Sequence, residues 1–108
     1  MTQHTYNTES QGRPVTVLMG WDRPLAGFFL VIGLRDSTSD EYLYSNLEDP
    51  DLVEWMGLPQ SLDHFDAKLA EFGIKLPANM RAEILCDARF NVGNRYVSYG
   101  PSGEIIAA

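Results

Sequence analysis

Five consecutive apolar residues at positions 28–32 constrain the fold of this chain more strongly than any other feature. The run Phe28-Phe29-Leu30-Val31-Ile32 consists of strand-favouring residues and does not alternate with polar ones. A strand of this composition has apolar side chains on both faces, so it is stable only inside a sheet with cover on each side. We therefore predict a central strand here, covered on both sides.

Other segments have the composition of strands or edge pairings: residues 15–19, 42–47, 95–99 and 105–106. The first is a β-branched run that ends at Gly20, and the segment 21–27 predicts a wide hairpin connection from it to the central strand. In the segment 42–47, alternation predicts that Leu43 and Leu47 face the core. A short helical turn or a loop is expected to follow at residues 52–57.

The clearest helix signal begins at Ser61. Its hydroxyl can accept hydrogen bonds from the first N–H groups of a helix, and Asp63 lies in the first turn, where the helix dipole favours negative charge. Apolar side chains then recur at helical spacing along one stripe: Leu62, Phe65, Leu69 and Phe72. Gly73 is placed where a left-handed residue commonly ends a helix.

A second helix is predicted to begin at Pro77 or Asn79 and to end at residues 91–94. Its apolar face consists of Met80, Ile84, Leu85 and Ala88. The element order β-β-β-α-α-β predicts an α+β fold: an antiparallel sheet of four to five strands with both helices packed on one face. Residues 1–13 are polar and are expected to form a flexible arm, so residues 14–108 are predicted to be a single domain.

The composition argues against several classes of function. A single Cys86 and two distant histidines, His4 and His64, predict neither a disulfide nor a zinc site, and the acidic loops lack the glycine spacing of calcium loops. No nucleophile is placed beside a base, so we expect no enzyme and no cofactor. The longest apolar run, 25–34, is too short to cross a bilayer. We expect a cytoplasmic protein with no membrane contact.

Negative charge is concentrated in the middle third of the chain. Residues 36–67 contain nine carboxylates and neither lysine nor arginine, whereas residues 1–35 and 68–108 each sum to +1, which gives the formal net charge of −7. The nine are Asp36, Asp40, Glu41, Glu48, Asp49, Asp51, Glu54, Asp63 and Asp66. Such a field steers cationic partners and disfavours direct contact with nucleic-acid phosphate.

Aromatic side chains interrupt this acidic segment, which favours a recognition surface for a basic protein over a plain solvated face. The residues predicted to contact the partner here are Asp40, Glu41, Tyr42, Tyr44, Glu48, Asp49, Asp51, Glu54 and Trp55. The loop after the first strand adds Trp21 and Arg23. In one interpretation, Trp21 covers the end of the sheet and Arg23 forms hydrogen bonds with the backbone of the loop. In the other, both side chains are contact anchors for a partner.

Three short motifs carry a resemblance to known sequences: GWDRPL at positions 20–25, FFLV at 28–31 and YSNL at 44–47. In these motifs the chain resembles small uncharacterised accessory proteins of proteobacteria, some of which are carried on mobile elements. The resemblance implies an accessory gene product and no assigned activity. Compact acidic proteins of this kind often bind and block a host complex.

The sequence therefore predicts a non-enzymatic acidic protein that occupies a basic site on a protein partner, such as a site for nucleic acid, and acts as an inhibitor from a mobile element. Two alternatives stay open. One is a small-ligand or metal-binding domain, or an enzyme, with a pocket near Trp21, Arg23 and Tyr96. The other is a homodimer formed through the aromatic residues of the strand predicted at 42–47.

Overall fold

The computed structural model of the chain describes residues 1–36 and 41–108. Within these residues the strands are β1 (Thr2–Ser10), β2 (Arg13–Asp22), β3 (Gly27–Leu34), β4 (Tyr42–Ser45), β5 (Arg95–Tyr99) and β6 (Ile105–Ala107). The helices are α1 (Asp63–Glu71), α2 (Ala78–Arg89) and the 3₁₀ helices η1 (Asn46–Glu48) and η2 (Pro50–Trp55). The α+β prediction is confirmed at this level.

The described strands form one mixed sheet of six strands in the order β4-β3-β2-β1-β5-β6. The prediction of an antiparallel sheet with four to five strands was therefore only approximately right. Strands β1 and β5 are parallel, with Thr2 opposite Arg95 and Tyr6 opposite Tyr99. Parallel pairing arises here because both helices lie between these strands in sequence and return the chain to the same end of the sheet.

The prediction that residues 1–13 form a flexible arm is wrong, because residues 2–10 form strand β1 between β2 and β5. Its inward side chains are polar, so hydrophobic alternation gave no strand signal. They are nevertheless satisfied: Thr2 Oγ1 accepts a hydrogen bond from the Trp21 N–H, and Ser10 Oγ donates to the Phe72 carbonyl. Buried polar groups are tolerated when each has a partner of this kind.

The core lies between the sheet and the two α-helices. Phe65 and Leu69 of α1 and Ile84 of α2 belong to one buried cluster with Val17 and Leu30 of the sheet. The helix stripe is thus confirmed. Strand β3 lies second from the edge of the sheet, so its predicted position inside the sheet is confirmed, but the predicted cover on both faces is incomplete, because Val31 is only partly buried and lines a surface depression with Leu18.

Several local predictions need correction. Helix α1 begins at Asp63 and not at Ser61, and among the described side chains none caps its first turn. Leu85 is exposed, although α2 otherwise packs as predicted. Leu47 is also exposed, because η1 interrupts the alternation of β4 after Ser45. None of the described helices combines the length and apolarity required to cross a membrane.

Candidate binding surface

The acidic segment is held against the outer edge of β3, where β4 has already ended. The Leu30 N–H donates to Asn46 Oδ1 at 3.3 Å, and Asn46 Nδ2 donates to the Gly57 carbonyl at 2.8 Å. The Phe28 N–H donates to the Pro59 carbonyl at 2.8 Å. Backbone N–H groups at a covered edge must find such partners, so these bonds position residues 46–59 on the sheet.

Asp49 sets the conformation of η2. Its Oδ1 accepts a hydrogen bond from the Asp51 N–H at 2.9 Å, and Pro50 follows in the first turn, where its missing N–H costs nothing. The side chain of Asp49 is 2% exposed. Asp49 was predicted to contact a partner directly, and this is wrong because the carboxylate points into the protein to cap the helix.

Asp49 Oδ2 has two further partners, the Tyr44 hydroxyl at 2.5 Å and His64 Nε2 at 2.8 Å. Burial alone would raise the pKa of the Asp49 carboxyl, but hydrogen bonds from Tyr44, His64 and the Asp51 N–H together lower it to about 2. An ionised carboxylate only accepts hydrogen bonds, so the His64 nitrogen that faces it is the donor. His64, which was expected to point to solvent, instead joins α1 to η2.

Tyr44 is likewise part of the framework and not a contact residue. Its ring packs edge-on against Phe65 at 6.3 Å between centroids, and it also contacts Phe72. Burial, followed by the hydrogen bond to Asp49, raises the pKa of the Tyr44 phenol. The expectation that Tyr44 is available to a partner is therefore corrected.

Residues 47–56 expose both apolar and acidic side chains. We call this region the η2 surface and define it by Leu47, Asp51, Val53, Glu54, Trp55 and Met56. The exposed fractions of its apolar members are 74% for Leu47, 73% for Val53, 50% for Trp55 and 74% for Met56. Four large apolar side chains within ten residues of sequence are an unusual concentration on a protein surface. The sequence analysis had singled out Trp55, Asp51 and Glu54 but not the aliphatic members.

A cleft of about 470 Å³ borders the η2 surface. Asp51 and Trp55 line it from η2, and Asp63 and His64 line it from α1. Trp55 is therefore the predicted aromatic contact residue that lies beside acidic side chains in this cleft.

Other acids of the segment are engaged elsewhere. Asp36 pairs with Arg13 at 3.1 Å, and Asp66 pairs with Arg81 at 2.8 Å, which removes both from the predicted patch. Asp40 lies outside the described residues. The acidic surface is therefore smaller than the sequence suggested, because the fold brings arginines from other segments to it.

Three predicted contact residues remain at the surface beside η1. Glu41, Tyr42 and Glu48 are exposed. The hydrogen bond to Glu48 is the main cause that raises the pKa of the Tyr42 phenol. These side chains extend the η2 surface toward β4.

Trp21 and Tyr96 lie on opposite faces of the sheet, so the predicted placement of a ligand pocket near Trp21, Arg23 and Tyr96 is wrong. Trp21 is 9% exposed on the helix side of the sheet, and its Nε1–H donates to Asn91 Oδ1 at 3.0 Å. Tyr96 is exposed and lines a depression with Thr5, which lies on the opposite face from the buried His4. Trp21 closes the end of the sheet and cannot be a contact anchor, whereas Arg23 is exposed in the loop.

Sequence reasoning also missed a buried polar network that spans β1, β5 and α2. His4 is fully buried, with Nε2 at 2.6 Å from Asp87 Oδ2 and Nδ1 at 2.8 Å from the Tyr99 hydroxyl. Arg95 Nη1 contacts the other Asp87 oxygen at 2.8 Å and Glu83 at 2.8 Å. Since His4 was expected in a mobile arm, no sequence signal joined it to Asp87. Its burial makes it a structural group.

Comparisons with protein-family models, with curated proteins and with solved structures found no match to this chain.

Proposed function

We propose that this chain is a non-enzymatic binding protein whose η2 surface occupies a basic site on a protein partner. The proposal depends on one observation: exposed apolar side chains and carboxylates lie together on a 3₁₀ helix that hydrogen bonds hold against the rest of the protein. Asn46 attaches the segment to β3, and Asp49 caps it from within. A surface fixed in this way loses little conformational entropy when a partner binds.

Apolar contact supplies the affinity in this proposal. Trp55 is half exposed, and Val53 and Met56 flank it with most of their side chains in water. Tryptophan is enriched among residues that dominate binding energy, and methionine adapts to irregular partner surfaces. A partner that covers Trp55 would remove this apolar area from water.

Charge supplies the selectivity. Asp51 and Glu54 are exposed on η2, and Asp63 lines the cleft beside Trp55. Carboxylates around an apolar centre accelerate encounter with a cationic surface and repel acidic ones. The partner we propose is therefore a protein with a basic, partly apolar site, such as one that binds nucleic acid. By the resemblance noted above, the consequence of binding would be inhibition of a host complex by a mobile-element protein.

The test compares variants of the η2 surface in binding to a partner captured from a proteobacterial host and then purified. Trp55→Ala is expected to weaken binding at least tenfold, mainly through faster dissociation, because it removes the central apolar contact. The triple variant D51K/E54K/D63K is expected to slow association and to flatten its dependence on salt. Surface plasmon resonance at low and high NaCl, with EDTA present, measures both rates.

Phe90→Ala is the matched control, because Phe90 is 69% exposed but follows α2, away from the η2 surface in sequence. It should bind as the wild type does. Thermal unfolding of each variant checks that the fold is unchanged. Wild-type kinetics for both the Trp55 variant and the triple variant would show that the proposal is wrong.

A homodimer is the second candidate, and one observation favours it. Strand β4 is the edge of the described sheet, and Tyr42 on it is 41% exposed. An edge strand can pair with the same strand of a second copy. Light scattering over a dilution series distinguishes the cases, since a dimer through β4 loses mass on dilution and is weakened by Tyr42→Asp.

A further inference from the structure

Three side chains with metal-binding atoms converge at the start of η2. Asp49 and Asp51 come from the start of η2, and His64 comes from the first turn of α1, 15 residues after Asp49. One ligand atom from each lies within 4.8 Å of the other two. The sequence argument had treated the two histidines as too far apart for a zinc site and the acidic loops as lacking the spacing of calcium loops, so it did not join His64 to these aspartates.

The geometry is close to what a metal ion requires. Transition-metal bonds to imidazole nitrogen and carboxylate oxygen are about 2.0–2.2 Å long, so one ion joins ligand atoms that lie up to roughly 4 Å apart. His64 is 28% exposed and Asp51 is exposed, so both side chains have room for the small rotation that remains. To bind the ion, His64 exchanges the hydrogen bond that its Nε2 donates to Asp49 Oδ2 for a bond to the metal, and the ring hydrogen then lies on Nδ1.

The surroundings also match a metal site. The Tyr44 hydroxyl donates to Asp49 Oδ2, and hydrogen bonds of this kind orient carboxylate ligands in known sites. The cleft of about 470 Å³ opens beside Asp51 and His64, so water can complete the coordination. One imidazole with two carboxylates favours a transition metal over Mg²⁺ or Ca²⁺, which prefer oxygen ligands alone.

We propose that Asp49, Asp51 and His64 bind one divalent transition-metal ion of the Zn²⁺ class. The ion would join α1 to the start of η2 and so hold the η2 surface on the body of the protein. The inference is independent of the proposed function, since metal binding is measured on the isolated chain. It assigns the ion a structural place and no chemical step.

The experiment titrates untagged apo-protein with ZnCl₂ by calorimetry and with CoCl₂ by quenching of tryptophan fluorescence. We expect one ion per chain, with quenching because Trp55 lines the same cleft. His64→Gln and Asp51→Asn are each expected to lower affinity at least tenfold. Each variant keeps a hydrogen-bond donor toward Asp49, so the cap of η2 is retained. If one variant fails to fold, the metal affinity of the other tests the proposal.

Two controls locate the ion. Glu71→Gln removes an exposed carboxylate at the far end of α1, and Cys86→Ser removes the exposed thiol. Both should bind as the wild type does. MgCl₂ should bind much more weakly than ZnCl₂. Three results would each overturn the proposal. They are equal Zn²⁺ affinity of the His64→Gln variant and the wild type, loss of Zn²⁺ binding in the Cys86→Ser variant, and equal affinity of the wild type for Mg²⁺ and Zn²⁺.

Discussion

At the scale of single residues, buried polar groups determine much of this structure. Thr2, His4 and Ser10 point into the protein from β1, and each makes a hydrogen bond there. An unpaired buried polar group costs about 1–3 kcal/mol. Without these hydrogen bonds, burial of the polar side chains of β1 in the sheet would therefore be unfavourable. Asp49 plays the same part for η2.

Tyr99 gives this network a pH dependence that can be measured. Burial is the main cause that raises the pKa of the Tyr99 phenol to about 12, and the acids Glu83 and Asp87 add to the effect while Arg95 opposes it. The charged and titratable groups around it come from β1, α2 and β5: His4, Glu83, Asp87 and Arg95. The native state therefore holds the Tyr99 proton more tightly than the unfolded chain does.

We expect the stability contributed by Tyr99 to be fully present below about pH 10, where the unfolded chain also keeps the proton, and to be lost as the pH rises toward about 12. The loss is on the order of 3 kcal/mol. Urea unfolding across this range measures it. Tyr99→Phe should show a shallower decline than the wild type, although the other tyrosines still contribute, and parallel curves would contradict the assignment.

At the scale of elements, η2 is a short helix that owes its position to contacts outside itself. Six residues form too few internal hydrogen bonds to be stable alone. The Asp49 cap fixes its start, and Met56 with φ 55° followed by Gly57 with φ 83° turns the chain back toward the sheet. Only glycine adopts the second of these conformations without strain.

Asn46 is the attachment point that a mutation can remove. Asn46→Ala should lower the free energy of unfolding by about 2 kcal/mol, because the Leu30 N–H and the Gly57 carbonyl both lose their partner. Urea unfolding measures this change, and amide exchange at Leu30 should become faster. Asn94→Ala is the control, since Asn94 is exposed. Equal exchange at Leu30 in both variants would show that Asn46 does not hold the segment.

At the scale of the whole molecule, β1 closes the sheet. It pairs with β2 along residues 4–10 and with β5 along residues 2–6, so it joins the β2–β3 hairpin to the last strands.

The distribution of exposed charge is also decided by the whole fold, because acids of the middle third form ion pairs with arginines from other segments. Arginines of β2 and α2 pair with Asp36 and Asp66, whereas Asp51 and Asp63 stay exposed in the cleft beside Trp55.

Deletion of residues 1–10 should abolish cooperative unfolding, because β2 and β5 would each lose a neighbour and the core would open between them. A flexible arm would be dispensable, so the experiment separates the two descriptions of this segment. Circular dichroism during thermal denaturation measures cooperativity. Deletion of residues 105–108 is the control, since β6 is an exposed edge. A cooperative transition after the first deletion would contradict the sheet order.

Sequence patterns identified the elements whose side chains repeat with a clear apolar period. Strand β5 was predicted with its observed bounds, β3 was placed inside the sheet, and the stripe of α1 was recognised from Phe65 and Leu69. Of the residues predicted to contact a partner, Asp51, Glu54 and Trp55 lie on η2 and are exposed, so their accessibility agrees with the prediction, while the contact itself stays a prediction. The Asp49-Pro50 pair is a capping signal that was present in the sequence and was not used.

The sequence by itself determined the α+β class, the apolar layers and the excess of carboxylates in the middle third, because these depend on local composition and periodicity. Only the tertiary structure decided that β1 joins the sheet, that Trp21 and Asp49 are buried, and that His64 meets two aspartates. Hydrogen bonds and ion pairs of this kind join residues that are far apart in sequence. Their partners are defined by the packing of the whole chain, and no local pattern records them.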